Sequence, residues 1–332
     1  MRRFLITILF FSLPVVILVS SYFFTDVFKV IYHYDPYYDV NYPIGLNRSY
    51  GSTETFLNQN KKYHYNSFIF GNSRSLFYEV ESWNKYLPKG SICFHFDASG
   101  GSIKDIYDKI KYLDEHGCDM RNALIVFDRE LLACTTDIDG YLFAEPPKLN
   151  GYKNIIDFHV RHLTAYLKPQ FLLSVLDYSL NHDFKPYMKD FINPIQMEYE
   201  PISNEIRKWE TEKKIEDGQY YDDEHIAVFE GIQHPGSYSL VQLDDQGKEI
   251  LMKIKGLLDK HDTDYRIVIS PLYDQIKLNE SVLFYLKEVF GNDRVFDFSG
   301  VNEWNKDFHN YYEDSHYRPH VAREIMNIVY AL

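Results

Sequence analysis

The chain has 332 residues, 45% hydrophobic and 25% charged, with 35 Lys+Arg against 48 Asp+Glu and a formal net charge of -13. That is long and apolar enough for a large core, and 16 Gly, 13 Pro and 3 Cys exclude collagen-like, low-complexity and small disulfide-scaffold classes. The acidic balance argues against a nucleic-acid binder, whose phosphate affinity comes from clustered Lys and Arg.

The first element is an uncharged apolar run from Phe4 to Phe24, preceded by Arg2 and Arg3 and broken only by Thr7, Ser12, Pro14, Ser20 and Ser21. Its length is that of a transmembrane helix, about 20 residues. It exceeds the about 7–15-residue apolar region of a cleaved signal peptide, and Ser20 and Ser21 are poor substitutes for an Ala-x-Ala site. Residues 1–27 are therefore expected to be an uncleaved anchor. The two arginines precede the run and the next basic residue is Lys29, so the rest of the chain is expected outside the cytoplasm, at the cell membrane. Removing residues 1–27, with two Arg and one Asp, leaves 33 basic and 47 acidic residues, a net charge of -14. Cys93 lies in an apolar run and reads as core, whereas Cys118 and Cys134 could bridge in an oxidising compartment.

Residues 28–62 show no sustained period and read as a stem, leaving 63–332 as the domain. From Tyr63 onward, NSFIFGNS, SICFHFDASGG, ALIVFDRE, YRIVISPL and RVFDFSG are short Ile-, Val- and Phe-rich runs bounded by turn residues, each the length of a buried strand. Amphipathic helical patterns precede the third, fourth and fifth runs, in SIKDIYDKIKYLDEHG, QLDDQGKEILMKIKGLLDKH and SVLFYLKEVFGN. Strands apolar throughout that alternate with helices imply an α/β fold with a parallel five-stranded sheet covered on both faces. Between about residues 135 and 240 the alternation breaks into a mostly helical insertion: a helical segment from Ile155 to Leu180, a Pro-punctuated KPYMKDFINPIQ, and a charged segment from Glu205 to Asp217. An insertion after a strand's carboxyl end is placed to shape a pocket above the sheet.

Ligands of open parallel sheets sit outside the carboxyl ends of the strands. The first run leads directly into Gly71-Asn72-Ser73-Arg74-Ser75, which puts a Ser hydroxyl on a tight turn above the sheet. It is not a G-x-S-x-G elbow, because position 75 is Ser. Near the far end, Glu313-Asp314-Ser315-His316 places a carboxylate and a His in a loop before the last helix, at the same sheet edge. A nucleophilic Ser needs such a base and such an acid. Taken singly, each segment has a bland reading, a helix-capping turn and a solvated surface His. His159 and His162, and His316 and His320, lack the companions of a recognised metal spacing, and no metal or other cofactor is expected. The Asp222-Asp223-Glu224-His225 run reads as a solvated loop, and the many Tyr and Phe, 29 and 24, include rings that could stack on sugars.

Together, Ser after the first strand and acid-x-x-His before the last helix resemble the SGNH, or GDSL-like, hydrolase superfamily. The nearest look-alikes are its membrane-anchored members associated with O-acetylation of surface polysaccharides, such as the alginate acetylation proteins, and with D-alanine transfer to teichoic acids. The resemblance covers roughly residues 63–130 and 242–332. It implies a three-layer α/β/α fold, Ser73 as nucleophile, His316 as base and Glu313, or the adjacent Asp314, as acid. It implies an oxyanion hole from the Ser73 backbone N–H and a glycine after the second strand, Gly101 or Gly100. The family's third donor, an Asn after the third strand, is replaced by Asp128, whose carboxylate accepts hydrogen bonds and repels developing negative charge. Asn72 and Asp128 are thus candidate site-lining residues. The implied function is a serine esterase or acyltransferase on acyl groups of cell-surface glycans, with a membrane acyl-transfer partner. The alternative is a catalytically inactive relative that binds glycan or assists envelope assembly.

Overall fold

In a computed structural model that describes residues 1–39, 42–192 and 198–331, five strands form one all-parallel sheet. They are β1 (Ser67–Gly71), β2 (Cys93–His95), β3 (Asn122–Phe127), β4 (Asp264–Ile269) and β5 (Val295–Asp297). Their order across the sheet is β2-β1-β3-β4-β5, with Ser67 opposite Cys93 on one side and Asn122 on the other. All five expected strands form. The chain steps from β1 outward to β2, then back past β1 to β3, which makes the carboxyl end of β1 and β3 a topological switch point.

Alternation along the strands sends side chains into two cores, giving three layers. On one face Phe68, Phe70, Ile125 and Ile267 pack against helices α2 (Arg48–Tyr63), α3 (Ile103–Glu115), α7 (Asp245–Lys260) and α8 (Glu280–Phe290). On the other, Ile69, Leu124, Val126 and Val268 pack against Trp83, Tyr311, Tyr317 and the C-terminal helix α9 (Pro319–Tyr330). The amphipathic patterns become helices because their apolar stripes, such as Ile103, Ile106, Ile110 and Leu113 of α3, recur at helical spacing and are buried.

Three expectations need correction or completion. First, the stretch read as a stem is built into the body: α2 buries Phe56 in the core of the sheet, its Asn47 side chain caps Tyr50 N–H at 2.9 Å, and Arg48 is buried. The stretch looked aperiodic because α2 buries polar residues along its first half. Second, Cys118 and Cys134 do not bridge; all three cysteines are free, and Cys93 is buried. Third, residues 2–25 form helix α1 (Arg2–Thr25), but among the described residues no helix is long and apolar enough to cross a membrane. The side chains at 2, 3, 5–9 and 11, among them the two arginines expected to set orientation, lie outside the described residues.

The insertion supplies helices α4 (Ile155–Tyr166), α5 (Pro169–Asn181) and α6 (Trp209–Glu216); Pro169 ends the first and begins the second, dividing what the sequence suggested as one segment. Residues 193–197, the end of the Pro-punctuated stretch, lie outside the described residues. The insertion returns to the sheet at Asn204, and α6 is tied to the C-terminal region through Glu212, which pairs with Arg318 and accepts from Tyr312 Oη.

Candidate active site

The turn after β1 is shaped by its small residues. A Cβ on Gly71 would lie 2.7 Å from Ser75 Cβ and 3.0 Å from the Val126 carbonyl, so only glycine fits between the turn and β3. Asn72 then caps a short 3-10 turn, Ser73–Ser75, by accepting from Arg74 N–H at 2.9 Å, and Ser75 Oγ donates back to the Asn72 carbonyl at 2.8 Å. Ser73 is partly exposed on this turn, and its hydroxyl makes no hydrogen bond to the described residues.

Glu313 and His316 face each other across a tight antiparallel hairpin, Tyr311–Glu313 with His316–Tyr317, with Asp314 and Ser315 at its tip. The acid-x-x-His spacing is therefore that of a two-residue hairpin, which holds the pair directly opposite. His316 Nδ1 is hydrogen-bonded to Glu313 Oε1, and Ser315 Oγ reaches both groups at 3.3 Å. Burial pushes the Glu313 carboxyl up, but the bond to His316, with its charge and that of Lys208, holds it below the ordinary glutamate value. Lys208 itself is pushed down by burial, lying 4.4 Å from the centre of the Tyr312 ring. Of the two acids left open by the sequence, it is thus Glu313 that meets the imidazole. Asp314 sits at the hairpin tip and lines a cavity of about 230 Å³ with Arg74, Arg129 and His234; the partial loss of water on its cavity side and the charge of Glu313 raise its carboxyl.

The His316–Tyr317 strand packs against the Ser73–Ser75 turn, and the His316 ring meets Phe77 edge-on at 6.5 Å. His316 Nε2, the nitrogen that Glu313 leaves over, is buried and has no hydrogen-bond partner among the described residues. The structure thus sets a serine turn beside a histidine oriented through its other nitrogen, with no bond yet formed between Ser73 Oγ and Nε2. Catalytic hydrogen bonds of this kind often tighten only on substrate binding.

Of the two candidate glycines, Gly101 is the one beside the serine turn: a Cβ there would lie 3.8 Å from Asn72 Cβ. Gly100 has φ +58°, and Phe143 occupies the place a side chain would take, 2.7 Å from its ideal Cβ. Asp128 faces the turn, but as a structural group. Its Oδ1 accepts from Glu130 N–H at 2.8 Å and Leu131 N–H at 3.0 Å, capping the helix Arg129–Ala133, and its Oδ2 accepts from Asn72 Nδ2 at 2.6 Å. The carboxylate that replaces the expected amide therefore anchors the β1 turn to the β3 turn.

Sequence reasoning missed a buried network beneath the serine turn. His95 Nε2 donates to the Ser75 carbonyl at 2.8 Å, and its Nδ1 lies 3.3 Å from Asp97. Asp97 accepts both Nε and Nη2 of Arg48, at 2.9 and 2.8 Å, and Arg48 also donates to Asn204 Oδ1 at 3.1 Å. Burial would raise the Asp97 carboxyl, but Arg48 and His95 hold it well below the usual range. The signal was the run FHFDASGG, where polar His95 and Asp97 alternate with buried Phe94 and Phe96. The other histidine candidates lie away from the serine turn: His162 Nδ1 is 2.8 Å from the Phe158 carbonyl, with its Nε2 buried and unpartnered among the described residues, His159 Nδ1 meets Tyr22 Oη at 3.1 Å, and His320 Nε2 meets Asn310 at 2.8 Å. The acidic run forms a short helix rather than the expected loop: Asp222 caps it by accepting from His225 N–H at 2.9 Å, and His225 Nδ1 bonds the same carboxylate oxygen at 2.7 Å.

Beside the serine turn, Leu76 and Ser99 open into a groove of about 660 Å³ walled by Tyr38, Tyr42, Phe184 and Tyr199, a size that accommodates a small organic ligand or a segment of a polymer. Comparison with known proteins found no family model that matches the chain and no curated protein that matches it.

Proposed function

We propose that this chain is an SGNH-like serine esterase or acyltransferase acting on acyl groups of cell-surface glycans. Its N-terminal helix would anchor it in a membrane with the α/β domain on the extracytoplasmic side. The observation that carries the reading is the Glu313–His316 pair packed against the Ser73 turn with Nε2 of His316 buried and unpartnered. Support also comes from the order of parts along the sheet: serine after β1, glycine after β2, acid and histidine before α9.

Ser73 Oγ attacks the acyl carbon and passes its proton to His316 Nε2, while Glu313 holds the other nitrogen and stabilises the imidazolium. The Ser73 and Gly101 backbone N–H groups face the developing oxyanion, Gly100 setting the path of its neighbour. His316 returns the proton to the departing alkoxide. Water or a sugar hydroxyl then takes the acyl group from Ser73, giving its proton to His316, which passes it to the departing Ser73 Oγ; a membrane-bound acyl carrier is the partner expected in the transfer case. The aromatic groove beside Leu76 is suited to sugar faces. The anchor is supported by the exposed Leu13, Val15, Val16 and Ile17 of α1.

Hydrolysis of an activated acetyl ester and of an acetylated polysaccharide by purified protein tests this reading. Ser73→Ala and His316→Ala are expected to lose several orders of magnitude of activity; full activity in Ser73→Ala rules the reading out. A non-catalytic glycan-binding role is favoured by one observation, that Asp128 supplies no third donor because both its oxygens accept. That role requires the wild type to be as inert as Ser73→Ala.

A further inference from the structure

Helix α1 does not stand apart from the insertion. Its last turns dock on α4, where Ser21 Oγ lies 2.8 Å from Tyr166 Oη and Tyr22 Oη 3.1 Å from His159 Nδ1, and α4 packs in turn on α5. On α4, Ile156 and Val160 flank the His159 contact and are exposed, Ile156 to 79%. On α5, Phe171 and Ser174 turn inward, while Leu173, Leu176 and Leu180 fall on one stripe at i, i+3 and i+7 and are exposed to 59%, 58% and 71%. Asp177 at the stripe's edge is neutralised by Lys185 and accepts from Tyr187 Oη. A tyrosine stands at the end of α1: Tyr32, exposed, donates to the Phe23 carbonyl at 2.8 Å, and a second exposed tyrosine, Tyr152, lies just before α4.

We propose that α4 and α5 form a membrane-apposed platform, with Ile156, Val160, Leu173, Leu176 and Leu180 seated in the interfacial region of the same bilayer that α1 enters. This rests on the reading of α1 as an anchor, and adds that the insertion lies on the lipid. The occupant follows from adjacency: the last turns of α1 dock on α4 at Ser21–Tyr166 and Tyr22–His159, and α4 packs on α5, so a bilayer entered by α1 begins beside these exposed side chains. An apolar helix face lying in the plane of the interface reaches about 5–10 Å below the headgroups, and tyrosines concentrate at that level. The platform would fix the height and tilt of the Ser73 site above the membrane, since Phe158 of α4 and Phe171 of α5 pack in one cluster with Tyr50 of α2, the helix that also buries Phe56 against the sheet.

The test uses the full chain reconstituted into phosphatidylcholine vesicles, with Cys118 and Cys134 replaced by Ser and a polarity-sensitive fluorophore on single cysteines. Val16→Cys reports α1, Ile156→Cys and Leu176→Cys the platform, and Leu240→Cys a fully exposed site outside this helical layer. The expected result is blue-shifted emission at 16, 156 and 176, quenched several-fold more strongly by spin-labelled phosphatidylcholine than emission at 240. Lipid-like emission at 16 with water-like emission at 156 and 176 overturns the platform and leaves the anchor standing. Water-like emission at 16 overturns the anchor and the platform with it.

Discussion

Glu313 and Asp314 are adjacent carboxylates with opposite surroundings, and the difference is a prediction. Glu313 faces His316 across the hairpin, whereas Asp314 points to the cavity beside Arg74. On the proposed mechanism Glu313→Gln, which keeps the shape but not the charge, is expected to lower kcat by about 10³–10⁴-fold, the size of effect known for the acid of a Ser-His-Asp triad. Asp314→Asn is expected to change it less than about tenfold, a margin small beside the triad effect. Steady-state kinetics of the two variants decides. Because the Glu313 carboxyl is held below its ordinary value, its contribution to stability is complete above about pH 4.3 and is lost as pH falls through the lower folded value. Glu313→Gln should therefore flatten the acid limb of a Tm-against-pH curve, and an unchanged limb would show that the pair is not formed. Asp128 belongs to the same scale. Asp128→Ala removes a helix cap and the acceptor of Asn72, and is expected to cost about 1–3 kcal/mol in denaturant unfolding.

The elements hold the site through polar contacts that hydrophobic patterning does not reveal. All five strands and the three helices that precede the third, fourth and fifth of them were legible, because the strands are short, largely apolar buried runs and each of these helices carries a buried stripe. Ser73, His316 and the glycines were legible because each follows or precedes such an element. Helix α2 was not, since Arg48, Ser49, Ser52, Thr53, Glu54 and Thr55 are buried polar residues and read as linker. The hairpin was not, because Asp314-Ser315 carries no glycine to announce a turn. Arg48 illustrates what such burial costs and supplies. Its side chain is 3% exposed against 0% for Asp97, so Arg48→Met strands a buried carboxylate and is expected to destabilise by about 3–5 kcal/mol. The double variant Arg48→Met/Asp97→Asn should recover part of that loss, and a double-mutant cycle by chemical denaturation measures how much.

The whole molecule joins an N-terminal helix, an insertion and a sheet more closely than a division into anchor, stem and domain allows. Tyr22 is 1% exposed, packed with Phe28, Phe158 and Tyr166, and Asp26 accepts from the Val30, Ile31 and Tyr32 N–H groups. A chain starting at residue 28 loses these contacts, while one starting at Ser20 keeps them. Burying a side chain the size of Phe is worth about 1.5–3 kcal/mol, so the shorter chain should unfold at a lower temperature by calorimetry. Equal melting would mean that α1 contributes nothing to the body. The central claim, that this assembly presents Ser73 as a nucleophile to His316, is tested most directly by intact-mass and peptide mapping after treatment with a fluorophosphonate ester probe. The account expects one adduct, on Ser73, absent in Ser73→Ala and suppressed in His316→Ala. An unmodified wild-type protein, or an adduct on another residue that persists in Ser73→Ala, contradicts it.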